Sequence, residues 1–192
     1  MKRQIKRLFI WLGAIFLVLA MGMMLLWQWN IRSAQTKAEA YVTTLRTLIP
    51  EPRGAVPEER RDNTMSVLSL EGTDFVGILE MPGYASALPV GAAWGEISKY
   101  PCCYFGSVYD RTLQIGATTQ KGQYDFYREI CVGDAVYFTD LEGNRYGYTV
   151  TQIDYETQFS QASLPREERD LTLFLKNVYA FEYIVISCNV LS

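Results

Sequence analysis

Residues Asp170–Cys188, DLTLFLKNVYAFEYIVISC, carry the decision about this chain. An apolar strand, Leu171–Leu175, runs straight into Lys176. A short polar and aromatic link follows, and a second strand spans Tyr183–Cys188. Alternation puts Tyr183, Val185 and Ser187 on one face of that strand and Ile184, Ile186 and Cys188 on the other. A lysine closing one strand and a tyrosine opening its partner call for a reason.

Working back from this pair, Thr157–Asp170 is polar, contains Pro165 and reads as a long connection with room for one helical turn. Before it, AVYFTD and NRYGYTVTQIDYE flank Leu141-Glu142-Gly143, which predicts a hairpin closed by a glycine-containing turn. Tyr124–Ile130, YDFYREI, has helical spacing and stops before Gly133-Asp134. Thr112–Thr118, Ala87–Gly91 and Phe75–Met81 read as further short strands. Many short strands, few helices and frequent turns imply a mainly β domain: a closed β-barrel with one or two short helices, over residues 65–192.

The N-terminal end has a different character. Residues 1–7 are basic, with Lys2, Arg3, Lys6 and Arg7. Leu8–Trp27 is apolar and uncharged, long enough as a helix to cross the roughly 30 Å core of a bilayer. Trp27 and Trp29 fall where an interfacial aromatic belt lies, so 8–29 reads as a single membrane anchor. Basic residues ahead of the span put the N-terminus in the cytoplasm and the β domain outside. The AEA at Ala38–Ala40 imitates a signal-peptide cleavage site, but it lies beyond Arg32 and Lys37, too far past the apolar run. Ala38, Val42, Leu45 and Ile49 recur at helical spacing, predicting a juxtamembrane helix over 30–49. Residues 50–64, rich in proline and charge, read as a linker.

Composition narrows the chemistry. The net charge of the 192-residue chain is −3, with 49% hydrophobic and 20% charged residues, as in folded proteins. Beyond the basic N-terminal four, 14 basic groups face 21 acidic ones, a poor composition for binding nucleic acid. There is no histidine, which excludes imidazole acid–base catalysis and histidine-ligated zinc. The four cysteines, Cys102, Cys103, Cys131 and Cys188, show no metal-ligand spacing and read as small semi-buried thiols.

Five pieces in order carry a resemblance: DFVGILEMPG, ALPVG, PCCYFGS, VGDAVYFTDLEGNRYGYTV and DLTLF. Together they resemble the sortases, cysteine transpeptidases of Gram-positive bacteria, in their class B and related clostridial forms, from about Asp74 to Val190. In that family a cysteine thiolate attacks the Thr–Gly bond of a sorting signal such as LPxTG, a histidine protonates the leaving amine and an arginine stabilises the oxyanion. The strand pattern T-L-x-T-C places Lys176 where the cysteine stands. Tyr183 falls on the arginine, and IGAT puts Thr118 on the histidine. All three groups are replaced. The resemblance therefore implies an inactive sortase-like protein that binds a sorting-signal peptide, a pilin or an active sortase, without metal or cofactor. Thr118, Tyr124, Lys176, Tyr179, Phe181 and Tyr183 are the candidates for its groove. Tyr104, Phe105, Phe126 and Tyr127 are further candidates, and barrel packing accounts for any one aromatic equally well.

The alternative is an enzyme with a relocated nucleophile. Cys188 lies on the strand face opposite Tyr183, and Cys131 lies far along the chain from the cleft strands. Lys176, if buried, could act as nucleophile or as base for a hydroxyl such as that of Thr118. A lysine snorkelling at a cleft rim is the simpler expectation. Asp74, Glu80 and Asp140 read as strand-end and turn residues.

Overall fold

The computed structural model describes residues 2–51, 63–157 and 170–191. The greater part of the expected linker and of the connection before Asp170 falls outside these residues. Among the described residues one helix, α1 (Lys2–Leu48), leads into nine strands. They are β1 (Leu68–Leu70), β2 (Thr73–Met81), β3 (Ser86–Gly91), β4 (Cys102–Phe105), β5 (Leu113–Thr118), β6 (Ala135–Asp140), β7 (Arg145–Glu156), β8 (Leu171–Lys176) and β9 (Tyr183–Val190). Two three-residue 3-10 turns, Pro82–Tyr84 and Trp94–Glu96, are the short helices of the domain.

α1 is unbroken where the sequence suggests an anchor followed by a separate helix. No glycine or proline occurs between Gly22 and Pro50, so nothing interrupts the i→i−4 ladder until Pro50 ends it. Its Trp11–Trp29 section is apolar, exposed, and long and apolar enough to cross a membrane. Past that section the expected stripe buries itself: Ala38, Val42 and Leu45 are covered, the latter two packing with Phe75, Ile78 and Tyr100. Arg46 pairs with Glu80 at 2.6 Å and fixes the helix against β2.

The strands close into a barrel. The order β2-β3-β4-β5-β8-β9-β7-β6 returns to β2, and β1 pairs with the start of β2. β5 and β8 run parallel; β8 and β9 form an antiparallel hairpin. Leu113, Ile115, Leu171, Leu173, Leu175, Ile184 and Ile186 point inward with Leu79, Val136 and Phe138. Each such side chain contributes roughly 1.5–3 kcal/mol by leaving water.

The predicted β6–β7 hairpin is present, and Asp140 organises its turn. The carboxylate accepts the backbone N–H groups of Glu142 at 2.9 Å and Asn144 at 2.8 Å. Gly143 sits there at φ +81°, with the carbonyl of Pro50 2.7 Å from where a Cβ would be. Tyr124–Ile130, expected as a helix, is instead a run of turns. The spacing was sound, since Tyr124, Tyr127 and Ile130 all face the core. The bonds that form are i→i+3, from the Tyr127 N–H to the Tyr124 carbonyl at 3.1 Å and from the Glu129 N–H to the Phe126 carbonyl at 2.8 Å, while the Tyr124 N–H ties the segment to the Thr118 carbonyl at 3.2 Å.

Candidate functional site

The C-terminal ends of β5 and β8 and the start of β9 meet at one edge of the barrel. The register is direct: Thr118 lies opposite Lys176, and Lys176 opposite Tyr183. Strand alternation sends all three to the outer face, since Ala117, Leu175 and Ile184 occupy the inner one. Thr118 is buried, Lys176 exposed and Tyr183 half-buried.

An aromatic cluster covers the neighbouring surface. Trp94, Tyr104 and Phe174 stack in a triangle with ring centroids 5.0–5.3 Å apart. Trp94 lies over Gly116, where a Cβ would come within 2.2 Å of the indole. The segment carrying Trp94 is strapped down from below. Gln123 donates to the Ile97 carbonyl at 3.0 Å, and its amide oxygen accepts the Thr118 N–H at 2.9 Å. Gln120 donates to the Ser98 carbonyl. The Thr118 hydroxyl is buried with no hydrogen-bond partner. It therefore makes no bond to the Lys176 ammonium, and the lysine is not buried, so neither half of a lysine–hydroxyl pair is in place.

Beyond Lys176 the chain turns through Asn177–Glu182. The Asn177 amide donates to Glu182 Oε1 at 2.7 Å and to the Tyr127 hydroxyl at 3.2 Å. Its oxygen accepts the Tyr179 N–H at 2.9 Å and the Thr119 hydroxyl at 3.3 Å. A cavity of about 810 Å³ lies against this loop, lined among the described residues by Thr157, Lys176, Tyr179, Phe181, Glu182 and Tyr183.

Five of the six groove candidates thus gather at this edge: Thr118 buried at the end of β5, and Lys176, Tyr179, Phe181 and Tyr183 at the cavity. Tyr124 does not. It is 1% exposed and packed in the barrel core, because the bond that ties it to β5 turns its ring inward. Phe126 stacks on Tyr84 at 4.6 Å, and Tyr104 belongs to the aromatic cover. Trp94, Asn177 and Thr119 were not singled out from the sequence. The glycine inside the IGAT strand was the available signal, since a strand glycine often marks close approach by another group.

No thiol reaches this edge. Cys188 lies inside the barrel with Ile184 and Ile186, as alternation required. Burial pushes its pKa up to about 12. Cys102 is likewise pushed up to about 12 and Cys103 to about 11, both chiefly by burial. Cys131 is exposed, beside the turn that leads into β6. All four are free thiols. Among the described residues no group of histidine, cysteine or carboxylate side chains could hold a metal ion. Among the described residues the edge offers a lysine ammonium, a buried hydroxyl, a tyrosine and a cavity wall of mixed polarity.

No protein-family description matches this chain, and no curated protein sequence does. Solved structures do. Sortase C1 from Streptococcus suis superposes with a TM-score of 0.53 at 18% identity, over 62% of this chain and 73% of its own. Sortase A from Corynebacterium diphtheriae, a lid mutant, gives 0.52 at 13% identity over 62% and 72%. Clostridium perfringens sortase C, solved with the C-terminal cell wall sorting motif, gives 0.52 at 18% identity over 62% and 71%. The domain has the sortase fold, preceded by a helix able to span a membrane.

Proposed function

We propose that this chain is a single-pass membrane protein whose residues 65–192 form an extracellular sortase-fold domain without transpeptidase activity, retained to bind a peptide. The ligand class is a sorting signal, presented free, on a pilin or in company with an active sortase. Residues 8–29 form the anchor, and the basic residues before it keep the N-terminus cytoplasmic.

One observation carries the reading: Thr118, Lys176 and Tyr183 stand in register across three adjacent strands. These are the positions that the motif resemblance pairs with the family's histidine, cysteine and arginine. Three neighbouring residues that carry no thiol, imidazole or guanidinium support the reading of a scaffold without its reaction. Loss of a nucleophile alone removes orders of magnitude of rate, and residues acting as a unit do not compensate for one another. The Clostridium perfringens neighbour holding a sorting motif supports a peptide as the ligand.

The test is incubation of the protein with an LPxTG-type peptide, followed by intact-mass spectrometry and peptide mapping. The expected result is reversible binding with no cleavage and no adduct. A covalent adduct on Lys176 or on any cysteine would overturn the inactive reading. A second arm combines Thr118→His, Lys176→Cys and Tyr183→Arg. A thioester at position 176 in that variant supports the mapping of the three positions.

A further inference from the structure

The turn between β8 and β9 ends in an unusual surface. Val178, Tyr179 and Phe181 are 43%, 69% and 101% exposed. The tip is nevertheless held firmly. Besides the bonds of the Asn177 side chain, the Asn177 N–H donates to the Glu182 carbonyl at 3.1 Å. The Val178 N–H donates to the Thr119 hydroxyl at 3.2 Å. A braced loop that offers apolar and aromatic side chains to solvent loses little entropy when something covers it.

α1 indicates what that cover is. Gln35 packs on Gly122, in the connection that leaves β5, so closely that a Cβ there would lie 2.1 Å from its side chain. At the other end of the docked helix, the Pro50 carbonyl abuts Gly143 in the β6–β7 turn. Gln35 and Pro50 are about 22 Å apart along a helical rise. The barrel end that α1 meets first is therefore the one bearing Thr118–Gly122, and Thr119 is bonded to Asn177 at the base of the tip. Only about 9 Å of helix separates Trp29 from Gln35. That is close to the depth of one headgroup layer, about 5–8 Å.

We propose that Val178, Tyr179 and Phe181 insert into the lipid headgroup layer beside α1. The domain then rests on the bilayer at two points, and the cavity lined by Lys176 and Tyr183 opens at the membrane surface. The proposal rests on the anchor reading of residues 8–29. Aromatic side chains favour this interfacial layer. Lys176 and Glu182, one charge of each sign, flank the tip, so apolar insertion contributes more than charge. A ligand for the cavity would then be one held close to the membrane.

Full-length protein in lipid nanodiscs of phosphatidylcholine and phosphatidylglycerol tests this. On a Cys131→Ser background, single Phe181→Cys, Trp29→Cys and Glu51→Cys variants each receive an environment-sensitive fluorophore. Lipids carrying a nitroxide near the headgroup are then introduced. The labels at 29 and 181 should each lose about twofold or more of their emission, and the label at 51, beyond the docked helix, should lose almost none. Quenching at 29 without quenching at 181 overturns the proposal and leaves the anchor standing. No quenching at 29 removes the anchor reading and the proposal with it. A label at 181 that ignores the lipid quencher but responds to a rising protein-to-lipid ratio assigns the tip to a protein partner, which also overturns it.

Discussion

On the inner face of β5, β8 and β9, Leu113, Ile115, Ala117, Leu171, Leu173, Leu175, Ile184, Ile186 and Cys188 form an apolar wall. On the outer face the same strands carry Gln114, Thr118, Thr172, Lys176, Tyr183 and Ser187 around Phe174 and Val185. Burial does not separate the two faces, since Gln114, Thr118, Thr172 and Ser187 are also covered. Chemistry does. The Thr118 and Ser187 hydroxyls have no hydrogen-bond partner, a condition that costs about 1–3 kcal/mol per group. The inner face is what stability requires. The outer face keeps buried polar groups, which burial alone disfavours.

The contrast is broken most directly from the inside. Leu173→Ala removes a fully buried side chain from the wall and should lower stability by about 2–5 kcal/mol in urea denaturation. Thr172→Val, its neighbour on the outer face, should cost under about 1 kcal/mol. Equal costs would mean that the two faces are packed to the same end.

Next in size is the aromatic cover. Gly116→Ala drives a methyl group into the Trp94 ring, and Phe174 lies 2.7 Å from the same point, so overpacking should cost about 1–3 kcal/mol. Trp94→Ala in the same chain should recover part of that loss, the Phe174 contact remaining, and a double-mutant cycle reads the recovered part as coupling. Independent effects would show that the indole does not hold the strand surface.

Much of this was legible beforehand. β2, β3 and β5 to β9, the β6–β7 hairpin and the inward direction of Cys188 follow from period-two alternation and turn residues, which are local signals, whereas β1 and β4 were not expected. The meeting of residues 118, 176 and 183 depends on parallel pairing between β5 and β8, distant in sequence; only the motif resemblance pointed to it. Trp94 was missed because its role arises from a connection folding back over Gly116, and no periodicity marks such a contact. The turns at Tyr124–Ile130 were misread as helix because three aromatic or aliphatic residues facing one core look alike in either geometry.

Burial separates the interior thiols from the surface one. The pKa values of Cys102 and Cys188 are raised by burial from about 9 to about 12. Below pH 9 both folded and unfolded chains hold these protons, and stability is unaffected. Between pH 9 and 12 the unfolded chain loses them and the folded chain keeps them, so stability falls as pH rises, by at most about 1.4 kcal/mol per pH unit per thiol. Cys188→Ala should flatten that slope in denaturation curves taken from pH 8 to 11. At pH 8 the thiolate is the reacting form, so iodoacetamide should modify exposed Cys131 and leave the other three until the chain unfolds. Rapid native labelling of Cys188 would place it outside the barrel.

The smallest expected effect is the most discriminating. Ser187 is 1% exposed, its hydroxyl unpartnered, on the outer face opposite Thr172. Ser187→Ala removes one oxygen, which leaves a small void, and also removes a desolvated polar group. The two changes oppose each other, so the variant should lie within about 1 kcal/mol of the parent, on the stabilised side if the orphan hydroxyl outweighs the void. Val185, two residues earlier on the same face, has no polar group to relieve, and Val185→Ala should simply destabilise. A loss above about 2 kcal/mol for Ser187→Ala would mean that the hydroxyl is satisfied in solution. The outer face would then be a second core, and its polar residues would no longer indicate a retained binding surface.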